Sequence, residues 1–270
     1  MRFLPRTFLC LACCAQTPKL QFEVASVRPT QTLDRVVHLL PGGHLNAAAP
    51  LGFLIENAFN VPAVEILGAP PWVKSKCFRI EARGGDNTSN AQLLLMLQSL
   101  LEDRFQLKTH REARQLPVYL LQPARSGLKL PEPKENNCWP ADESTGTELP
   151  VGNHRRLPSF FKCGRIIPGG GVDTPTQSLK GGSVAMPELV RAVSILVGRP
   201  VIDKTGFSGM FDVDMTFAAD PSALDPGETP ASGLPSIFLA LEERLGLKLE
   251  SSKASVDVLV IDRVAEPSGN

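Results

Sequence analysis

The sequence predicts an α+β fold built twice over, and three observations predict it. The string LEDRFQLK at Leu101 to Lys108 returns as LEERLGLK at Leu241 to Lys248. Apolar residues switch repeatedly between the helical spacing i, i+3, i+4, i+7 and strict alternation. The order of these runs recurs at a nearly constant offset: 241 − 101 = 140 for the helix end, 258 − 118 = 140 for the last strand and 189 − 51 = 138 for the first helix. Chance gives one such match, but not an ordered series, so an internal duplication is expected. Each half then reads β-α-β-β-α-β-β, with helices packed on mainly antiparallel sheets.

Composition bounds the rest. A chain of 270 residues buries a sizeable core without staples. Its 28 basic and 28 acidic residues leave no net field toward nucleic acid or an anionic membrane. One Tyr and two Trp provide few stacking platforms, so no nucleic-acid partner is expected.

Residues 1–15 read as a signal peptide: Arg2 and Arg6, an apolar run from Phe8 to Ala15, then the polar break Gln16-Thr17-Pro18. Export to the periplasm or the exterior is therefore expected. A lipoprotein acylated at Cys14 and a cytoplasmic protein with a chance apolar start are the alternatives. No later stretch approaches the roughly 20 apolar residues of a membrane-spanning helix, so the mature chain is expected to carry no transmembrane segment.

Removal of the signal leaves Cys77, Cys138 and Cys163. Cys138 and Cys163 share a Pro/Gly-rich region in which a bridge closes a loop of 163 − 138 = 25 positions. A disulfide between them, with Cys77 free, is the expectation. Three reduced thiols, or a zinc site from Cys138, His154 and Cys163, are the other readings; the last lacks the close paired spacing of structural zinc sites.

The first repeat spans 20–122. Phe22 to Val27 alternates as an opening strand, and a turn at Pro41-Gly42-Gly43 leads into a strand at His44 to Ala48. Pro50 starts a helix whose Leu51, Leu54, Ile55 and Ala58 form one apolar stripe. Val64 to Leu67 is a short strand and Gly68 to Trp72 a turn. Phe78, Ile80 and Ala82 mark a half-buried strand. Ser89 or Asn90 caps a helix carrying Leu93, Leu97, Leu100, Leu101 and Arg104 on one face. Gln106 to Arg111 and Val118 to Leu121, separated by Pro117, read as an antiparallel closing pair.

Residues 123–182 are rich in Pro and Gly and lack apolar periodicity, which predicts an insertion or linker. The second repeat, 183–265, restates the first. Leu189, Ala192, Val193 and Leu196 form a helical stripe, Val201-Ile202 a short strand, and Phe211, Val213, Met215 and Phe217 an alternating strand. A helix with Ile237, Ala240, Leu241 and Arg244 precedes a second closing pair, Leu247 to Ser251 and Val256 to Val264.

Five stretches carry a family resemblance: FEVASVRP from Phe22, Gly68-Ala69-Pro70-Pro71-Trp72, LLEDRFQLKTHRE from Leu100 with LPVYLL after it, GRPVIDKTGFSGMFDVDM from Gly198, and the ending LGLKLESSKASVDVLVIDRVAEPS. Together they resemble a large paralogous family of exported proteins of unknown function from soil acidobacteria, over nearly the whole mature chain. The resemblance implies an uncharacterised, exported, non-catalytic protein. Related domains attached to membrane metallopeptidases of the antibiotic-sensor type add a hint of extracytoplasmic sensing or binding. It supplies no catalytic residues to carry over.

The strings that suggest chemistry have plainer readings. Asp203-Lys204-Thr205-Gly206 resembles the phosphorylation motif of ion pumps, but Phe207 stands where that motif has Thr, and the string falls at a turn. Gly169-Gly170-Gly171 lacks the Gly-Lys-Ser/Thr ending of a phosphate loop. His110 lies beside Glu112, yet the second repeat places Glu250 where the first has His110. Arg104 and Arg244, doubled by the repeat, fit helix C-termini or pairing with Glu102 and Glu242; anion contacts in a groove between repeats are the functional alternative. Trp72 fits a core plug better than a ligand platform.

No catalytic, cofactor-binding or metal-ligating residue is therefore assigned. The expected function is an extracytoplasmic binding or sensing module that takes an unknown small molecule or envelope protein without a cofactor, its default site the groove between the halves. An envelope assembly component that pairs through an exposed strand edge is the alternative, and an enzyme is less favoured.

Overall fold

A computed structural model describes residues 19–32, 36–135, 138, 163–170, 174–220 and 233–267. The expected signal peptide, His154 and Gly171 lie outside the described residues. The fold is α+β, with five α-helices among the described residues on sheets that are mostly antiparallel.

The first sheet has the order β1 (Val24–Thr30), β5 (Cys77–Arg83), β3 (His44–Pro50), β2 (Val37–Leu40), all antiparallel neighbours. Helix α1, Leu51–Phe59, buries Leu51, Leu54, Ile55 and Ala58, the stripe read from the sequence. Pro50 precedes it, and Asn60 ends it in a left-handed conformation at φ 50°. The expected turn at Gly68 to Trp72 is partly helical: Pro71 opens the short α2, Pro71–Ser75, where its missing N–H costs nothing. Helix α3, Asn90–Phe105, starts at a capping box in which Ser89 accepts from the Gln92 N–H and Gln92 accepts from the Ser89 N–H.

Among the described residues the second half has a smaller sheet and two helices. β7 (Ile166–Gly169) and β8 (Thr176–Ala185) form a three-stranded sheet with β10 (Met210–Ala218), in the order β10-β8-β7. Helix α4, Met186–Val197, begins with Pro187 in its first turn and ends at Gly198, φ 63°; α5, Ile237–Leu245, is capped by Ser236 and ends at Gly246, φ 62°. β7 and most of β8 fall within 123–182, the stretch whose Pro/Gly content predicts an insertion or linker. Ile166 and Leu179 are nonetheless buried there.

The closing pairs are where the structure departs furthest from expectation. Lys108 to Pro123 is one continuous strand, β6, and Leu247 to Arg263 another, β11. They pair with each other, antiparallel, from Leu247 opposite Pro123 to Arg263 opposite Lys108. Each half therefore ends in a single long strand, and the pair forms between the halves.

Two short strands flank this ribbon. β4, Ile66–Leu67, lies parallel to β11, and β9, Val201–Asp203, parallel to β6, giving the order β4-β11-β6-β9. Each half's short strand thus pairs with the other half's long one. The cores follow the same exchange. Leu259 and Ile261 of β11 complete the core around α1 and α3, while Leu121 of β6 joins the core around α4 and α5, with Tyr119 packed beside it. A fully buried Leu contributes about 2 kcal/mol of apolar transfer, so each half draws a substantial part of its stability from the other's strand.

Candidate functional site

The ribbon is also the candidate site, because the middle of it is covered by neither core. Its backbone register can be read from single bonds. Tyr119 N–H donates to Pro200 C=O at 2.9 Å and Lys204 N–H to Leu121 C=O at 2.8 Å, so odd-numbered residues of β6 turn their backbone groups outward. Ala124 N–H donates to Gly246 C=O at 2.8 Å, on the inward side. Pro117, opposite Lys253, is odd, and the N–H it lacks would have pointed away from β11. The ladder loses nothing, which is why a proline sits inside a 16-residue strand.

By the same register Leu249, Ser251, Lys253, Ser255 and Asp257 of β11 direct their backbone groups outward. Among the described residues β4 covers that edge only at Leu259 and Val260, and β9 covers β6 only from Tyr119 to Leu121. Ser251, Lys253, Ser255 and Asp257 are exposed, as are Arg111, Ala113 and Gln115 opposite.

Charged pairs line the ribbon. His110 Nδ1 lies 2.9 Å from the Asp262 carboxylate, and its Nε2 is 3.7 Å from Glu112, which also receives Arg114. The hydrogen bond to Asp262 raises the imidazole pKa above its ordinary value; slight desolvation opposes this, and the charges of Asp262 and Glu112 add to it. Arg111 bridges Asp257, 3.2 Å away, and the Phe59 carbonyl at the end of α1. Glu65 nearby has its carboxyl raised by burial, against the opposing pull of Arg111. The His110–Asp262 and Arg111–Asp257 pairs tie β6 to β11, while Glu112 pairs along β6 itself; no nucleophile is held against His110 by any of them.

An open polar recess lies where α3 runs into β6, lined by Glu102, Asp103, Gln106, Lys108, Asp262 and Arg263. It is made largely of the LEDRFQLK string. Lys19 already meets Glu102 at 2.7 Å and Asp103 at 3.0 Å, which raises the ammonium pKa against partial desolvation. Arg263 donates to the Gln106 side chain at 2.6 Å.

Arg104 and Arg244 are exposed in the last turns of α3 and α5, the favourable end for a cation, and neither lines the recess. Trp72 is partly buried against the first core. Cys138 and Cys163 are bonded, with sulfurs 1.99 Å apart, and Cys77 is a free thiol. Asp203 accepts from the N–H and hydroxyl of Thr205 at 2.8 and 2.7 Å, so the Asp-Lys-Thr-Gly string is a side-chain-closed turn after β9. No group of His, Cys, Asp and Glu suited to a metal ion occurs among the described residues, and no helix there is long and apolar enough to cross a membrane.

Ser99, Ser194 and Asp212 are buried polar residues that escaped the sequence reading, and two of them join elements. Asp212 accepts from the Ser183 N–H at 2.9 Å and the Lys134 N–H at 3.0 Å. Ser194 donates to Val190 C=O and accepts from the Val201 N–H, joining α4 to β9. The visible signal for Ser194 was its place one turn before Gly198; nothing marked Asp212.

The architecture is that of an α+β protein whose halves exchange their long strands around an exposed two-stranded ribbon. The chain belongs to the family described as a protein of unknown function, DUF3738, which matches residues 53–264. Neither the curated proteins nor the solved structures contain a match.

Proposed function

We propose that this protein is a non-catalytic, extracytoplasmic interaction module that takes up an extended segment of a partner protein along the outer edge of β11. One observation carries the reading: from Leu249 to Asp257 that edge presents outward backbone donors and acceptors which no strand among the described residues occupies. Added strands gain affinity from such main-chain bonds, while side chains on the flanking face set preference. A small molecule in the groove between halves is less well supported, because the recess at Glu102 and Asp262 is open and polar where ligand pockets are concave and mostly apolar.

Export is supported by the apolar N-terminal run after Arg2 and Arg6, by the Cys138–Cys163 bridge, and by the resemblance to exported proteins of soil acidobacteria. The two halves are read as copies of one unit on the offsets of their elements.

A library of displayed ten-residue peptides, selected on the chain from Gln16 onward, tests the function. Ser255→Pro removes one outward N–H without touching the ladder to β6, as Pro117 does naturally across the ribbon. Extended, β-branched peptides are expected to bind the parent chain and to lose at least tenfold in affinity for S255P, about 1.4 kcal/mol. Equal binding to both proteins, or no enrichment, overturns the reading.

A further inference from the structure

We infer that a second copy of this chain is a partner the fold can accept, by exchange of halves, and that the Cys138–Cys163 disulfide holds the molecule in its closed, single-chain form. The contacts between halves make no reference to covalent connection. They comprise the β6–β11 ladder, the flanking pairs β4–β11 and β6–β9, and the insertion of Leu259 and Ile261 into one core and Leu121 into the other. Each long strand also runs on to cap the opposite half's helix. Ala265 N–H donates to Phe105 C=O at 2.7 Å, and Lys129 N–H to Leu245 C=O at 2.9 Å. Two copies that exchanged halves would remake every one of these contacts in both globules. What separates the closed from the exchanged form is the connection between the halves.

The lengths decide the matter. Lys134 is seated on the second half through Asp212, 3.0 Å away, and Gly164 N–H is bonded to Gly182 C=O at 3.0 Å. From Lys134 to Ile166 the chain advances 166 − 134 = 32 positions, a reach of about 100 Å when extended. That spans two globules, each about 40 Å across for a chain of this size. With the disulfide closed, the path shortens to four positions from Lys134 to Cys138, a Cα–Cα step of 4.9 Å, and three positions from Cys163 to Ile166. Its reach falls to about 30 Å. In an exchanged pair Lys134 would sit on Asp212 of the second copy while Gly164 stayed on its own Gly182. A tether that short would press the two Asp212 regions together, where the chain already lies.

A thiol reductant converts the bridge to two thiols and restores the long connection. The closed form still gains from an effective concentration in the millimolar range, so exchange emerges on refolding at comparable protein concentration.

The experiment compares three preparations of the chain from Gln16 onward: the oxidised protein, the same protein refolded with a dithiol reductant, and a Cys138→Ser, Cys163→Ser variant with a specific protease site placed between positions 139 and 162. Each is refolded at ~10 µM and ~1 mM, bracketing that effective concentration, and sized by light scattering after gel filtration. The oxidised chain is expected to be monomeric at both concentrations, and the other two to give a dimer fraction that grows severalfold at the higher one. Cutting the connection in the variant dimer is expected to release monomer-sized particles that each hold both fragments. Three results overturn the proposal: monomers only in all preparations, an equal dimer fraction in the oxidised chain, or a dimer that keeps its mass after cutting and so is held by surface contact. The reduced parent chain carries the comparison if the variant fails to fold.

Discussion

Asp212 fastens its own strand, the bulge of β8 at Ser183 and the connecting segment at Lys134. Its backbone N–H also donates to Pro131 C=O at 3.0 Å. Replacing it with Ala leaves two backbone donors without their acceptor, and the expected cost is about 2–4 kcal/mol. Chemical denaturation of D212A beside the parent chain checks this; a loss under about 0.5 kcal/mol, the range of ordinary surface substitutions, would show that Asp212 is not a clamp. The alternation from Phe211 to Phe217 sets four apolar residues, all buried, on one face and Asp212 on the other. Asp212 is buried because Phe211 pairs with Val184 but Val213 with Gly181, so β8 carries one extra residue there and Ser183 takes φ 48°. A bulge in one strand, invisible to a period of two, reverses the environment of a residue in its partner. The glycine at the end of α5 was equally opaque. Gln106 and Gly246, offset by 246 − 106 = 140, both take left-handed conformations, but a Cβ at 246 would lie 2.0 Å from Gly127 O. Only the connecting segment, laid over that helix end, makes the side chain inadmissible.

At the scale of elements, helices were legible and long strands were not. The stripes of α1 and α3 follow from local spacing; in α1 the buried residues match it one for one, while α3 also buries Met96, Ser99 and Phe105 and leaves Arg104 exposed. β6 and β11 each read as two pieces because their centres are polar and because Pro117 looks like a break. The centres are polar since neither core reaches them, and Pro117 is harmless since its missing donor faces outward. The candidate site was hidden by the same features that create it. His110 and Asp262, one on each long strand, offer a local test of their pairing. The folded imidazole has a pKa above its unfolded value of about 6.5. The pair's contribution is therefore complete below that value and fades as pH rises through the raised folded pKa. An NMR titration is expected to place the His110 midpoint above about 6.5, and Asp262→Asn to bring it back down, with the pH dependence of stability flattening near neutrality. A midpoint unmoved by the substitution would remove Asp262 as the cause.

For the molecule as a whole, periodicity reports which residues are buried and is silent about what they are buried against. The sequence contained two cores in order, and Leu121 and Leu259 were each read as closing their own half. In the structure they close each other's. Interlocking has a thermodynamic consequence that two beads on a string would lack: neither core can open without withdrawing a strand from the other, so unfolding should be a single transition. Leu259 is buried in the core of the first half, and Leu259→Ala removes from that core a side chain supplied by a distant part of the chain. The expected loss is about 2–5 kcal/mol. Leu121→Ala is expected to cost a similar amount through the other core, and both should lower one shared midpoint in calorimetry. Hydrogen exchange locates the effect: in L259A the amides of α1 and α3 should lose protection together with those of β11, although the substitution lies in the second half. Two separable transitions, with L259A shifting only the one that reports on α4 and α5, would mean that the halves are independent and that the exchanged strands contribute little to either core.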